Sequence, residues 1–231
     1  MPRPPRLQVA GLLNHVYSRG NARQPVVLTD TDCEVLVATL GEAVIRSGWI
    51  CVAYCVMPNH YHALLLTPEP NLAKGMQWLN GTYARRFNSA HERDGHLWQG
   101  RYGSKPVTED DHLMRLLGYL PMNPVSGALC IDPAAYRWSS YAAIAGHAPP
   151  PPFLDVRWTL ELFSDDVREA RRMYALHVRE TPSPFELASI LDGLDPVGIQ
   201  RARAEGFTLR EIAEHLGVSI PTIWRRCKNG V

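Results

Sequence analysis

Trp49-Ile50-Cys51-Val52-Ala53-Tyr54-Cys55-Val56-Met57-Pro58-Asn59-His60-Tyr61-His62 is the stretch that decides the fold. Its first eight residues are rich in aromatic and β-branched side chains, and Pro58-Asn59 is turn chemistry, so the segment predicts a hairpin with a second arm opening at His60. In an extended strand, side chains alternate between faces, which puts His60 and His62 on one side and Tyr61 on the other. Two imidazoles on one face can bind one divalent cation. The plainer alternative is a pair of satisfied polar residues on a half-buried strand.

Working outward, Asp111 to Leu120 reads as an amphipathic helix, with Asp111 as N-cap and Leu113, Leu116, Leu117 and Leu120 as its apolar stripe. Tyr119 and Asn123 then stand at i and i+4, close enough to serve one site. A phenol has a reference pKa of about 10 and needs a cation or base to act as a nucleophile, so a tyrosine facing a metal is chemically sensible. Read alone, Tyr119 is better taken as a core tyrosine on an ordinary helix. Tyr83 and Tyr102 are rival nucleophiles, but neither is followed at i+4 by a ligand-type residue. Pro121 removes one helical N–H, and Pro124 biases Asn123 away from the α region, so the pair predicts a kink or an end to this helix.

Six stretches carry a resemblance. Asn14 to Asn21, Met57 to His62, Trp78 to Tyr83, Gly95 to Tyr102, Tyr119 to Pro124 and Tyr136 to Tyr141 resemble, in order and spacing, the REP-associated tyrosine transposases, relatives of the single-tyrosine HUH transposases of bacterial insertion sequences. The resemblance spans about residues 3 to 145. It implies an α+β domain, a ferredoxin-like antiparallel sheet with packed helices. It further implies His60, His62 and Asn123 as metal ligands and Tyr119 as the nucleophile, which cuts single-stranded hairpin DNA through a 5′-phosphotyrosine. Ligand softness alone admits zinc, iron or manganese, whereas the family implies Mg²⁺ or Mn²⁺, which is the expectation adopted. A residue basic in the family after Val125 is Ser126 here. If the tyrosine site is impaired, the alternative is a DNA-binding regulator; a third class is a metal phosphodiesterase that uses water.

Arg19, Arg85, Arg86, Arg101 and Lys105 are candidates to line a strand-binding groove, with Tyr17, Trp78 or Trp98 available for base stacking or simply filling core. The net charge of +1 conceals an uneven distribution: 13 Lys/Arg against 11 Asp/Glu in residues 1 to 145, 5 against 9 in 146 to 195, and 6 against 3 in 196 to 231. The acidic middle masks two segments that could each meet phosphate.

With 231 residues, 45% of them hydrophobic, the chain can bury one good core and a smaller one. There is no apolar run of membrane-spanning length, and the start Met1-Pro2-Arg3-Pro4-Pro5-Arg6 lacks an apolar signal core, so a cytoplasmic protein without membrane contact is expected, as monomer or homodimer. Cys33, Cys51, Cys55, Cys130 and Cys227 are odd in number and lack CxxC spacing, which suits reduced thiols. Pro149 to Pro152 reads as a stiff spacer closing a first domain at 145, followed through 195 by a linker and a bridging helix from Ser164 to about Arg179, with Val167, Ala170, Met173, Tyr174 and His177 on one face. Residues 196 to 231 read as a helix-turn-helix domain. Pro196 opens an earlier helix, Thr208-Leu209-Arg210-Glu211 is a capping box, Gly217 suits the turn, and Ser219 caps a second helix presenting Thr222, Arg225 and Arg226 to DNA. A small helical oligomerisation cap with a solvated basic face is the plainer reading of this tail.

Overall fold

The computed structural model describes residues 9–181, 198–200, 202 and 209–228. In chain order the first unit runs β1 (Leu12–Arg19), α1 (Asp30–Ser47), β2 (Ile50–Met57), β3 (His60–Thr67), α2 (Leu72–Ala90), β4 (Gly103–Pro106) and α3 (Asp110–Ser126). The strands form one sheet in the order β2-β3-β1-β4 with every neighbouring pair antiparallel, the split βαβ arrangement of a ferredoxin-like domain. The expected hairpin is present: Pro58 and Asn59 form the turn, and Met57 pairs with His60. Local chemistry bounds α1 sharply. Thr29 and Asp32 make a reciprocal capping box, and Gly48, at φ 64°, closes the helix in the left-handed region.

Strand alternation assigns the two faces. Val16, Ser18, Tyr61, Ala63 and Leu65 point towards α1 and α2, where Leu36, Leu40, Met76, Leu79, Tyr83 and Phe87 complete a buried layer. His15, Tyr17, Arg19, His60, His62 and Leu64 share the opposite face, on which α3 lies with Leu113, Leu116, Leu117 and Leu120 buried. The sheet is therefore sandwiched between a two-helix layer and α3.

Two expectations about α3 need correction. It begins two residues earlier, with Glu109 rather than Asp111 at the N-cap, and it neither ends nor breaks at its prolines but continues to Ser126 with Pro121 and Pro124 inside. Pro124 has no N–H to give the Leu120 carbonyl; Nδ2 of Asn123 donates to that carbonyl at 3.2 Å and to the Tyr119 carbonyl at 3.1 Å. Side-chain amide protons thus stand in for the lost backbone donor.

Beyond α3 the chain returns to the outer edge of β2. Val56 N–H donates to the Trp138 carbonyl, the Ser140 N–H and hydroxyl both donate to the Tyr54 carbonyl, and the Tyr136 hydroxyl donates to the Val56 carbonyl at 2.8 Å. Further along β2, where a bulge shifts the register between Cys51 and Ala53, Asp155 N–H donates to the Cys51 carbonyl at 2.8 Å and the Thr159 hydroxyl to the Val52 carbonyl at 2.9 Å. Two short helices, α4 (Tyr141–Ile144) and α5 (Val156–Glu161), belong to this return, and a longer one, α6 (Val167–Glu180), follows it. The compact first unit accordingly extends to Val178, past the break expected at 145, because Phe153, Leu154 and Leu160 after the prolines are apolar and find a place beside β2. On α6 the buried positions are Ala170, Tyr174 and Val178; Val167 and Met173, expected on that face, are exposed, and His177 is half-buried with Nε2 2.8 Å from the Met114 carbonyl.

In the second unit, α7 (Leu209–Leu216) and α8 (Ile220–Lys228) pack with Ile199 and Ala202 around Ile212, Ala213 and Ile223. Gly217, at φ 68°, makes the turn between them, with Val218 N–H returning to the Ala213 carbonyl at 2.9 Å. Pro196, Thr208 and the side chains of Glu211 and Arg226 lie outside the described residues. Among the described residues no helix is long and apolar enough to cross a membrane.

Candidate metal and nucleophile site

His60 and His62 stand side by side on β3 with ring centroids 4.9 Å apart and planes perpendicular. Each has its Nδ1 engaged from behind. Oδ1 of Asn59 lies 2.6 Å from Nδ1 of His60, and Nε2 of His15 lies 2.9 Å from Nδ1 of His62. An amide oxygen can only accept, so His60 carries its proton on Nδ1 and its Nε2 lone pair is the one on offer. Tyr119 approaches from α3, its ring edge-on to His62 with centroids 6.2 Å apart. Tyr17 fills the floor beside His15 and His62, at 5.7 and 5.9 Å between centroids. Glycine at 103 makes this possible: a Cβ there would fall 2.1 Å from Cζ of Tyr17. Asn123, one turn beyond Tyr119, is buried, with its amide donors turned to the helix carbonyls.

The site keeps its imidazoles neutral. Burial, then the charge of Arg19, lowers the His60 pKa from 6.5 to about 4. His15 falls likewise to about 4 through burial, Lys105 and His112. His62 lies well below its ordinary value, again chiefly through burial, with His15, His60, Arg19 and Lys105 adding to it. Near pH 7 the three rings therefore carry no charge, and the positive field around them comes from Arg19 and Lys105, both set by register: Arg19 pairs with His60, and Lys105 with His15. Among the described residues no group of three or more His, Cys, Asp and Glu side chains could hold a metal ion. A cation here would rest on two imidazoles and on oxygen donors of other kinds.

The family model described as "Transposase IS200 like" matches residues 8–122, the segment that builds the sheet, both histidines and the tyrosine helix. Over these residues the chain is similar to the IS200-like transposases. A Haemophilus influenzae protein named as a REP-associated tyrosine transposase is 31% identical to this chain over 85 residues, 32% of this chain and 48% of the relative. The match thus spans about half the length of that curated protein. Among solved structures, a REP-associated tyrosine transposase bound to a REP hairpin covers 72% of this chain and 93% of its own, with a TM-score of 0.53 at 16% identity, a likeness of fold. A Deinococcus radiodurans transposase structure is 27% identical, covering 48% of this chain and 91% of its own with a TM-score of 0.38.

The domain gathers some of the residues picked from sequence and separates others. Tyr119, His60, His62, Arg19 and Lys105 occupy one face of the sheet. Arg85 and Arg86 project from α2 in the layer behind the other face. Arg86 is held by both oxygens of Glu42, at 3.1 and 3.0 Å, and by the Thr39 hydroxyl at 2.7 Å, while Arg85 donates to Thr82 at 3.2 Å. Neither joins the histidine site. Arg101 is exposed on the loop that follows Trp98. Trp98 packs on Tyr61 and Tyr83 and donates to the Asn80 carbonyl, so its core reading holds; Trp78 stacks under Arg46 on the α2 side. Tyr83 and Tyr102, the rival nucleophiles, are buried. Thr222, whose hydroxyl lies 2.9 Å from that of Ser219, and exposed Arg225 sit on α8 of the second unit. The residues that sequence reasoning passed over are His15 and Asn59, which back the two histidines. The signal for His15 was its two-residue spacing from Tyr17 on a strand.

Proposed function

We propose that this chain is a metal-dependent transposase that nicks and rejoins single-stranded hairpin DNA through Tyr119. The observation that carries the reading is the meeting of Tyr119 with His62 at 6.2 Å on the face that also holds His60, from segments 57 positions apart. The two imidazoles fit a divalent cation: both are neutral near pH 7, both are tied at Nδ1, and both look onto one face. The amide oxygen of Asn123 would be the third protein ligand. Bound Mg²⁺ or Mn²⁺ would polarise a non-bridging oxygen of the scissile phosphate and offset the charge that builds up on it.

The chain's own groups do the rest. Arg19 and Lys105 draw the phosphate backbone to the histidine face. The Tyr119 oxygen attacks phosphorus as the bond from phosphorus to the 3′-oxygen breaks. The phenol proton leaves to solvent, the departing 3′-oxygen takes one up, and the 5′-phosphate remains on the tyrosine. Because that ester conserves the phosphodiester bond energy, a 3′-hydroxyl can reverse the step and join strands without a nucleoside triphosphate. The sequence accords with this, since it has no Gly-rich phosphate loop ending in Lys-Ser/Thr. The solved neighbour was bound to a REP hairpin, which supports folded single strands as the substrate here. In the second unit, Thr222, Arg225 and Arg226 on α8 would add a helix-turn-helix contact to duplex DNA. Continuity of α3 through Pro121 supports an enzyme over a non-catalytic regulator.

The test is direct. Protein, Mn²⁺ or Mg²⁺ and a labelled hairpin oligonucleotide should yield a protein–DNA adduct that survives denaturant and is lost in Tyr119→Phe. Turnover without an adduct would instead indicate hydrolysis by water. No reaction, with duplex binding retained, would indicate the regulator.

A further inference from the structure

The hydrogen bond between His15 and His62 has a direction that the site cannot leave open. The two nitrogens are 2.9 Å apart and share one proton, and both side chains are buried, at 6% and 9% exposure. Two N–H groups facing each other would collide, and two lone pairs would leave buried nitrogens without a partner, so one ring must donate and the other accept. If His15 donates, the His62 proton sits on Nε2 and points out of the ring where a ligand lone pair is needed. If His62 donates, Nε2 is bare. The neighbouring histidine shows the second arrangement: Asn59 accepts from Nδ1 of His60.

The strand register explains why His15 can do this. Tyr17 pairs directly with His62 and His15 with Leu64, so His15 is the diagonal neighbour of His62 on the same face, within reach of a long ring. The rings lie nearly parallel, 23° between planes with centroids 5.1 Å apart, which fixes the rotation of His62 as well as its proton.

We infer that His15 is a positioning residue: it accepts the Nδ1 proton of His62 and so holds that imidazole in the tautomer and orientation whose Nε2 can bind the cation. This rests on the metal site of the proposed function. His15 itself touches neither cation nor DNA.

The experiment measures Mn²⁺ binding to the full chain by the electron paramagnetic resonance of free Mn²⁺, for wild type, His60→Ala, His15→Phe and His15→Gln, with thermal unfolding followed in parallel. His15→Phe keeps a ring but no acceptor and should weaken Mn²⁺ binding on the order of 10- to 100-fold. His15→Gln, whose Oε1 can accept at similar reach, should return the affinity to within a few-fold of wild type. Thermal stability alone would not separate those two variants in that way. Binding lost in His60→Ala but unchanged in His15→Phe overturns the inference and leaves the metal site standing; no binding by wild type overturns both. Should His15→Phe fail to fold, long-range ¹⁵N–¹H spectra of the wild-type His62 ring decide the matter. A proton on Nδ1 is expected, and one on Nε2 refutes the role.

Discussion

Acidification should unfold this domain through its buried imidazoles. In the unfolded chain His15 takes up a proton near 6.5, whereas the folded protein admits one only near 4. Between those values the unfolded state binds more protons, so stability is fully present above about 6.5 and is lost as pH falls towards 4. At about 1.4 kcal/mol per pH unit, that gap amounts to about 3 kcal/mol for His15 alone. His60, lowered to the same value but partly exposed, adds a smaller loss in the same direction, and His62 a further one. Against a domain stability of roughly 5–15 kcal/mol the sum is a large fraction. Urea titrations at pH 7.0, 5.5 and 4.5, read by fluorescence from the five tryptophans of the first unit and Trp224, should show a midpoint falling steeply with pH. His15→Phe, with one titrating group fewer, should flatten the dependence by about one proton. A wild-type midpoint that stays level from pH 7.0 to 4.5 would refute the reasoning.

Other substitutions separate the two faces of the sheet. Tyr61→Phe removes a hydroxyl that donates to Asn80 at 2.8 Å in a buried chain continuing to Ser18, and should cost about 1–2 kcal/mol in thermal unfolding while adduct formation is kept. Gly103→Ala drives a methyl into the Tyr17 ring beneath His15 and His62, so adduct yield should fall further than the melting temperature. Arg19→Ala and Lys105→Ala should each weaken hairpin binding and reduce the salt slope by about one. Arg86→Ala should leave both unchanged, its exposed pairing with Glu42 being worth at most about 1 kcal/mol of stability.

The parts legible in the sequence were those written in local pattern. The run before Pro58, the two-residue turn and the His-x-His alternation specify β2, β3 and the shared face of the histidines without outside help. The course of α3 was harder to read, because a rule about single prolines does not foresee that Asn123, one position before Pro124, supplies protons to the carbonyl left bare. Arg85 and Arg86 were picked for charge, yet the spacing of Leu72, Met76, Leu79, Tyr83 and Phe87 already fixes the inward stripe of α2, and it faces the other side of the sheet. The role of His15 was hidden for another reason: its spacing from Tyr17 marks the face, but its partner lies 47 positions away, and only the pairing of β1 with β3 joins them. Distance along the chain also hid the return of residues 136 to 159 to β2, where the four prolines looked like a boundary.

That return sets the smallest fragment that should behave well. β2 is an outermost strand, and its outward backbone groups from Cys51 to Val56 are taken up by Tyr136, Trp138, Ser140, Asp155 and Thr159. Cutting the chain at 145 would spare every residue of the histidine face and the contacts of Tyr136, Trp138 and Ser140, yet strip away Asp155 and Thr159, baring the Cys51 and Val52 carbonyls at one end of an apolar edge to which a second molecule could add a strand. Such a shortened protein would be lost to self-association before its chemistry could be assayed, whereas one ending after Val178 would keep its border closed.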